Sequence, residues 1–424
     1  MANLMAVALG PVQDFIAAAR RTRDLWFGSM LLSEISKSVA SALQATEGVT
    51  LIFPSPQQPG DLFPGTSFSV SNILLAQLDV PINPVTLWPN LKIVAENRWR
   101  SLADEAIRDL NRDWLVKARW EKQLLGVVEF YAAWLPFGKP EQYQNTRSSL
   151  MRLLAGRKAC RDFDPWQGEA GVPKSSLDGA RETVLTELSP EKTALRASRI
   201  KLSTGEQLDA VGLVKRLGGT LKQYPSVSRV ACDPWLRGLK EIDRERLSEQ
   251  CACLAEYGLV RLSANRFPQY SSFLYEGAGV YLNQIEEAVE GSPEVEHEQI
   301  VRDHAHFLKI IYKEYGEPQP YLALLAADGD RMGEALSNID KLEAHQAFSQ
   351  ALSRFAENAG NVISRHFGAL VYSGGDDVLA FVPVDKAVAC ARALQKEFTD
   401  CVKGPTLSPV HPFPGLSNAP SRLH

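Results

Sequence analysis

The sequence lacks a long apolar run, a surplus of basic residues and any regular arrangement of its six cysteines. The opening MANLMAVALGPVQDF holds only a six-residue apolar run, Leu4 to Leu9, with no basic segment ahead of it and a proline straight after. That pattern argues against a signal peptide and against a membrane span. A formal net charge of -4 argues against a free-standing nucleic-acid binder, because neutralising phosphates takes a local excess of Lys and Arg. Any RNA contact is therefore expected to be local or shared with partners. Unpaired cysteine spacing suits a reducing cytoplasm. What is present is ordinary for globular protein: 424 residues, 45% hydrophobic and 23% charged, enough for about two to four domains with real cores.

Read along the chain, Leu4 to Leu9 predicts a buried strand, and Gly10-Pro11 turns it into a helix with the proline at its first position. Val12, Phe15, Ile16, Ala19 and Trp26 fall near helical spacing. Strand-like VTLIFP and SFSVSNILLAQL follow, then a long charged helix around Trp99 to Gln123 and strand-like GVVEFYAAWLPF. Residues 138 to 225 read as helical and then irregular, and 226 to 316 as mostly helical. A new unit begins at YLALLAAD, with a strand over Tyr321 to Ala327 and a loop holding Asp328-Gly329-Asp330. Its long helix runs from about Lys341 to Phe367, with Asp340 as N-cap and Phe348, Leu352, Phe355, Ala359 and Ile363 on one face. A hairpin and a helix from about Lys386 to Val402 complete it, with Val388, Ala391, Leu394 and Phe398 at 3.6-residue spacing. A βαββαβ ferredoxin-like unit needs one more strand, and the tail, with prolines at 405, 409, 412, 414 and 420, predicts none.

The hairpin LVYSGGDDVLAFVP places two adjacent carboxylates at the tip of a buried element. In a βαββα unit the end of the first strand lies beside that tip, so Asp328 should converge with Asp376 and Asp377. Three crowded carboxylates repel one another unless divalent cations neutralise them. Two Mg²⁺ or Mn²⁺ ions there would activate a hydroxyl and stabilise a leaving pyrophosphate. Gly374 and Gly375 would let phosphates approach the backbone. The plain alternative is that Gly-Gly-Asp-Asp is simply good hairpin chemistry, and Asp330, at an alternate position, points to solvent or to a backbone cap on this reading.

These motifs resemble a family. LAADGDRMG followed by YSGGDDVLAF resembles the palm domain of the large, cyclase-like subunit of type III CRISPR effector complexes, in the subtype III-B form. GPVQDFIAAARRTRDLWFGSMLLS resembles that subunit's first palm-like domain, and LLAGRKACRDFDPW the lead into its zinc knuckle; the resemblance runs to about residue 403. It implies an α+β fold: a first palm-like domain over 1–137, a degenerate zinc-knuckle region over 138–225, a helical domain over 226–316, a second ferredoxin-like palm over 317–403, and an irregular tail over 404–424. It further implies ATP bound between the palms and joined into cyclic oligoadenylates when target RNA binds, in a cytoplasmic complex with other type III subunits and guide RNA. On this resemblance Asp328, Asp376 and Asp377 hold the metals, the Gly329 carbonyl assists, and Ser373, Gly374 and Gly375 border the nucleotide. The alternative role for one of the hairpin aspartates, Asp376 or Asp377, is to take the proton of the attacking hydroxyl.

Three departures from the family matter. No His-Asp dipeptide is present, which argues against single-stranded DNA cleavage; Asp303-His304-Ala305-His306 reads as a solvated helix face. Ser175, Asp178, Gly179, Asp209 and Gly212 stand where the family's knuckle has its Cys-x-x-Cys pairs, so no zinc is expected, and Cys251 and Cys253 read as buried or incidental thiols. The chain stops where the palm's last strand and a C-terminal helical domain are expected, so a truncated protein or a separate chain is anticipated. Arg20, Arg21 and Arg23 read as a solvated helix face paired with Asp24, with an RNA or nucleotide contact as the alternative. The function expected is metal-dependent cyclic oligoadenylate synthesis in antiviral defence. The rivals are a catalytically impaired scaffold of the guide-RNA complex and a cyclic dinucleotide synthase of another pathway.

Overall fold

The structure is a computed structural model that describes residues 1–160, 166–203, 205–219, 224–289 and 295–402. Its first unit is built on strand β1 (Ala2–Gly10), helices α1 (Gln13–Ala17) and α2 (Thr22–Ala45), strands β2 (Val49–Phe53) and β3 (Ile73–Leu78), helices α3 (Pro84–Ala106) and α4 (Lys117–Leu124), and strand β4 (Glu129–Phe137). The antiparallel sheet runs β2-β3-β1-β4, the order of a βαββαβ ferredoxin-like fold. Successive β1 side chains point to opposite faces, and both faces are covered. Met5, Val7 and Leu9 join the core under α2 and α3, while Leu4, Ala6 and Ala8 meet Tyr143, Leu150 and Leu154 of α5 (Tyr143–Ala159). A strand buried on both sides is why Leu4 to Leu9 reads as an unbroken apolar run.

Local polar contacts account for several differences from the expected elements. The helix expected from Pro11 onward is two helices, because Asp24 reaches back to accept the backbone N–H groups of Arg20 (3.3 Å) and Arg21 (3.1 Å). That bond holds Arg21 extended at the start of α2 and breaks the helical path. The helix expected around Trp99 to Gln123 instead begins at Asn83, whose side chain caps Val85, and ends at Ala106. Asn111 then starts a 3-10 turn that drives Trp114 inward before α4. Only the second half of SFSVSNILLAQL pairs as a strand.

Beyond α5 come α6 (Pro190–Ile200) and α7 (Ala210–Leu217), a helix within a stretch that reads as loop-rich. Both pack on the first unit, through Ile200, Leu213 and Val214. A helical unit follows, made of α8 (Val227–Ala231), α9 (Asp233–Gly238), α10 (Glu241–Glu256), α11 (Ile285–Val289) and α12 (Val295–Tyr315). Cys251 is buried in its core and Cys253 is exposed. His304 is a correction: it is buried, not solvated, and its Nε2 lies 2.7 Å from the Gly279 carbonyl, while His306 one turn-face away is exposed.

The second α+β unit holds β5 (Leu322–Ala327), α13 (Met332–Ser337), α14 (Leu342–Arg365), β6 (Ala369–Gly374), β7 (Asp377–Pro383) and α15 (Ala387–Val402). Its antiparallel sheet runs β5-β7-β6, the first three strands of the ferredoxin-like order. The apolar face expected on α14 is buried, from Phe348 through Phe355 to Ile363. Asp340 is not its cap: Lys341 holds that position without a side-chain bond. Val388 is 61% exposed, and Cys390 with Leu394 turns inward instead. The expectation about the tail over 404–424 lies outside the described residues. Among the described residues no helix is long and apolar enough to cross a membrane.

Candidate functional site

The β5–β7 register sets the site. Ala327, the last residue of β5, pairs with Val378, and Gly374 pairs with Asp377 at the end of the β6–β7 ladder. Asp328 therefore leaves its strand beside the two-residue turn Gly375-Asp376. Gly375 takes φ +70 at the first central position, a backbone that glycine supplies without strain, and open space lies where its side chain would be. Carboxylate oxygens of Asp328, Asp376 and Asp377 all lie within 4.8 Å of one another. Asp330 is exposed and stands outside that cluster. Arg331 follows in left-handed backbone (φ 59) and turns the chain into α13.

Crowding shows in the titration of the pair at the turn. Desolvation, with the charge of Asp328 added, pushes Asp376 up to about 6, against the pull of backbone N–H groups that include Gly329's. Desolvation and the charges of Asp376 and Asp328 push Asp377 up to about 7. Tyr372, two residues before Gly374 on the same strand face, is pushed up to about 12 by burial and by both hairpin carboxylates. Its ring lies over Gly374, where a Cβ would come within 2.8 Å of Tyr372 Cε2 and closer to the hydroxyl. The two glycines thus differ: Gly375 is open, and Gly374 is roofed by a phenol.

Ser373 faces a cavity of about 880 Å³ between the two α+β units, walled by α2, α3 and β6. Ser373 is 7% exposed, and its Oγ has no partner among the described residues. Across the cavity stands Glu34, which accepts from Lys37 Nζ (2.8 Å), the Gly65 N–H (3.1 Å) and Arg98. Burial raises the Glu34 carboxyl, but these donors outweigh it and hold it below its ordinary value. The Arg266 guanidinium lies 4.6 Å from the Trp26 ring on the same wall. Lys37, Arg98 and Arg266 are cations that sequence reasoning did not assign to this site. They sit on three separate elements, and no spacing rule joins them.

Of the arginines expected on a solvated face paired with Asp24, Arg20 is exposed, while Arg23 is half-buried and reaches the Gly218 carbonyl at 3.3 Å. Asp24 is fully buried and pairs with Arg216, from 192 positions along the chain, at 2.7 Å and 2.8 Å. The knuckle positions do come together: Ser175 Oγ donates to Asp209 Oδ1 at 3.3 Å, and that oxygen caps α7 through the Gly212 N–H at 2.8 Å. Burial raises the Asp209 carboxyl. Asp178 instead accepts the Ala180 N–H at 2.9 Å.

Two family models match the chain: Cas10/Cmr2, second palm domain, over residues 321–418, and CRISPR-associated protein Cmr2, N-terminal, over residues 4–115. The CRISPR system Cmr subunit Cmr2 of Pyrococcus furiosus is 36% identical over 137 residues, a match that takes in 26% of this chain and 16% of that protein. Among solved structures, the apo type III-B Cmr-beta matches with TM-score 0.60 at 15% identity, over 93% of this chain and 61% of that one. The type III-B Cmr-beta bound to cognate target RNA matches with TM-score 0.63 at 14% identity, over 93% of this chain and 62% of that one. The chain thus spans less than two thirds of the relatives it matches, and at these identities the solved structures carry the fold. The chain carries two domains of the Cas10/Cmr2 family of type III-B CRISPR proteins, the N-terminal one and the second palm, with the carboxylates on the second.

Proposed function

We propose that the chain is the cyclase-type subunit of an RNA-guided type III-B defence complex, and that it joins ATP into cyclic oligoadenylates when target RNA is bound. The carrying observation is the convergence of Asp328, Asp376 and Asp377 within 4.8 Å beside an inter-unit cavity. Three carboxylates offer hard oxygen donors, and burial with mutual repulsion raises Asp376 and Asp377, a cost that a divalent cation would offset, so the residues fit Mg²⁺ or Mn²⁺. Asp328, Asp376 and Asp377 would hold two such ions, which when bound supply charge neutralisation to the attacking hydroxyl and to the leaving pyrophosphate. The 3′-oxygen of one nucleotide forms a bond to the α-phosphorus of the next as the bond to the β-phosphate oxygen breaks. One of the hairpin carboxylates, Asp376 or Asp377, would take the hydroxyl proton. Ser373 Oγ and the open backbone at Gly375 border the nucleotide, and Lys37, Arg98 and Arg266 bring positive charge to the cavity wall.

The names of the relatives, a Cmr subunit and a Cmr-beta bound to target RNA, support the assignment of partners: other subunits of the complex, guide RNA and target RNA. The test is ATP turnover with Mn²⁺ in the assembled complex with target RNA, comparing the native chain with an Asp376→Ala/Asp377→Ala variant. Cyclic oligoadenylates are expected from the first and none from the second. Equal product from both would overturn the reading.

A further inference from the structure

A second cavity, of about 400 Å³, opens where the start of α2 meets the helical unit. Tyr224, one of its walls, donates to the carbonyl of Ala369 at 3.2 Å, at the opposite end of β6 from the Gly375-Asp376 turn. Six residues of strand separate the two places, roughly 17 Å at a strand's rise. The cavity is therefore a different site from the carboxylate cluster.

Its two sides have opposite chemistry. One side carries Arg20, Arg21, Arg23 and Lys201; the other is aromatic and aliphatic, with Tyr224, Tyr281, Leu259 and Pro320. Of these cations, Arg20 and Arg23 make no ion pair with a carboxylate among the described residues. Asp24 and Glu206 both pair with Arg216, and Glu276, at the cavity floor, accepts from the Ser226 backbone N–H at 3.0 Å and from its hydroxyl. Burial raises the Glu276 carboxyl, against the pull of the Ser226 donors and the Arg229 charge. Arg20 is exposed, Arg23 reaches only the Gly218 carbonyl at 3.3 Å, and Arg23 Nε is a buried donor with no partner among the described residues. Gln284 lines the apolar side and offers a carboxamide with no side-chain partner among the described residues.

We propose that this cavity is a second nucleotide site, which takes a nucleoside 5′-monophosphate unit with its base on the tyrosine-lined side and its phosphate on Arg20 and Arg23. The volume suits one such unit, since small-molecule pockets run from about 300 to 1,000 Å³. Guanidinium groups recognise phosphate by charge-assisted, fork-like hydrogen bonds, and the Arg23 donor gains in such a bond the partner it lacks. Gln284 is placed to read the edge of the base. The unit is either a free nucleotide or the 5′-phosphorylated end of an RNA strand, and both present the same groups.

Titration calorimetry of the 424-residue protein in EDTA, which silences the carboxylate site, separates this site from the proposed cyclase. AMP and 5′-phosphorylated triadenylate are the probes, against native protein, Arg20→Glu, Gln284→Ala and the Asp376→Ala/Asp377→Ala variant. Binding of either probe should persist in the aspartate variant and weaken at least tenfold in Arg20→Glu, with AMP alone assigning a free nucleotide and triadenylate alone a strand end. Photolabelling with 8-azido-AMP, mapped by mass spectrometry, needs no variant and should mark peptides spanning 224–284. No binding of either probe, binding indifferent to Arg20→Glu and Gln284→Ala, or labelling elsewhere would overturn the site.

Discussion

Gly329 and Asp376 pack so closely that a Cβ on Gly329 would stand 2.8 Å from both the Cβ and a carboxylate oxygen of Asp376. This approach brings the β5 loop onto the hairpin tip and sets the spacing of Asp328 from the other two carboxylates. Gly329→Ala must push the loop away by several tenths of an ångström. Because metal sites tolerate little displacement of their ligands, Mn²⁺ affinity should fall by about tenfold or more. Thermal stability should change little, since the loop is largely exposed; calorimetric Mn²⁺ titration alongside a thermal melt checks both.

Proton linkage at the same cluster gives a second expectation. Asp376 and Asp377 titrate near about 6 and about 7, above the ordinary 3.8, so the folded chain without metal binds more protons than the unfolded chain across that window. Their contribution to stability is therefore lost as pH rises from about 4 to 7. Asp377→Asn removes one of the three repelling charges. Its melting temperature should match the native protein's near pH 4 and exceed it at pH 8, by no more than about 2 °C per kcal/mol of repulsion relieved. Mn²⁺ binding to the native site should strengthen over the same pH range and release protons, as two buffers of different ionisation enthalpy would register.

The convergence of these aspartates is legible in sequence because it follows from order alone: strand, loop, helix, then a hairpin whose register is fixed by buried apolar residues. Period-2 and period-3.6 patterns likewise mark β1, β5, β7 and α14. What pattern cannot supply is the partner of a polar side chain far along the chain. Asp24 reads as the mate of neighbouring arginines, yet it is buried against Arg216. His304 reads as solvated because its neighbours are polar, yet it is buried, with Nε2 on the Gly279 carbonyl and Nδ1 without a partner among the described residues. Lys37, Arg98 and Arg266 reach the inter-unit cavity from three elements, and only the packing of the two units assembles them.

Arg216 gives the next prediction. It is fully buried and holds Asp24 at 2.7 Å and Glu206 at 2.8 Å, with the Lys201 carbonyl at 2.9 Å. Arg216→Met would strand two buried carboxylates, and breaking a buried ion pair in this way costs on the order of 3–5 kcal/mol. Denaturant unfolding should show that loss. Adding Asp24→Asn and Glu206→Gln to Arg216→Met should recover part of it, because no unpaired charge is then left inside.

At the knuckle positions, a Ser175–Asp209 hydrogen bond and the cap of Asp209 on Gly212 join the segments that thiolates would otherwise tie. Hydroxyl and carboxylate donors hold Zn²⁺ far more weakly than cysteines do. Purified protein should therefore carry well under one zinc per chain, and a strong chelator should leave its melting temperature unchanged. A stoichiometric zinc that withstands dialysis would refute this.

Gly374 and Tyr372 make the final prediction, which separates two reasons for a glycine. On one account Gly374 is bare so that phosphates can approach the strand; on the other, the Tyr372 ring needs the space above it. Gly374→Ala should destabilise the fold by about 1–3 kcal/mol, the usual cost of forcing a methyl into occupied volume. Tyr372→Ala removes the roof, so in the double variant the methyl is accommodated and the destabilisation should be less than the sum of the two single effects. A double-mutant cycle of unfolding free energies measures that coupling. Turnover of ATP then decides between the accounts. If the ring alone requires glycine, Gly374→Ala should cost no further activity in the Tyr372→Ala background. If phosphates must reach the backbone there, the double variant should fold well and still turn over at least tenfold more slowly than Tyr372→Ala alone.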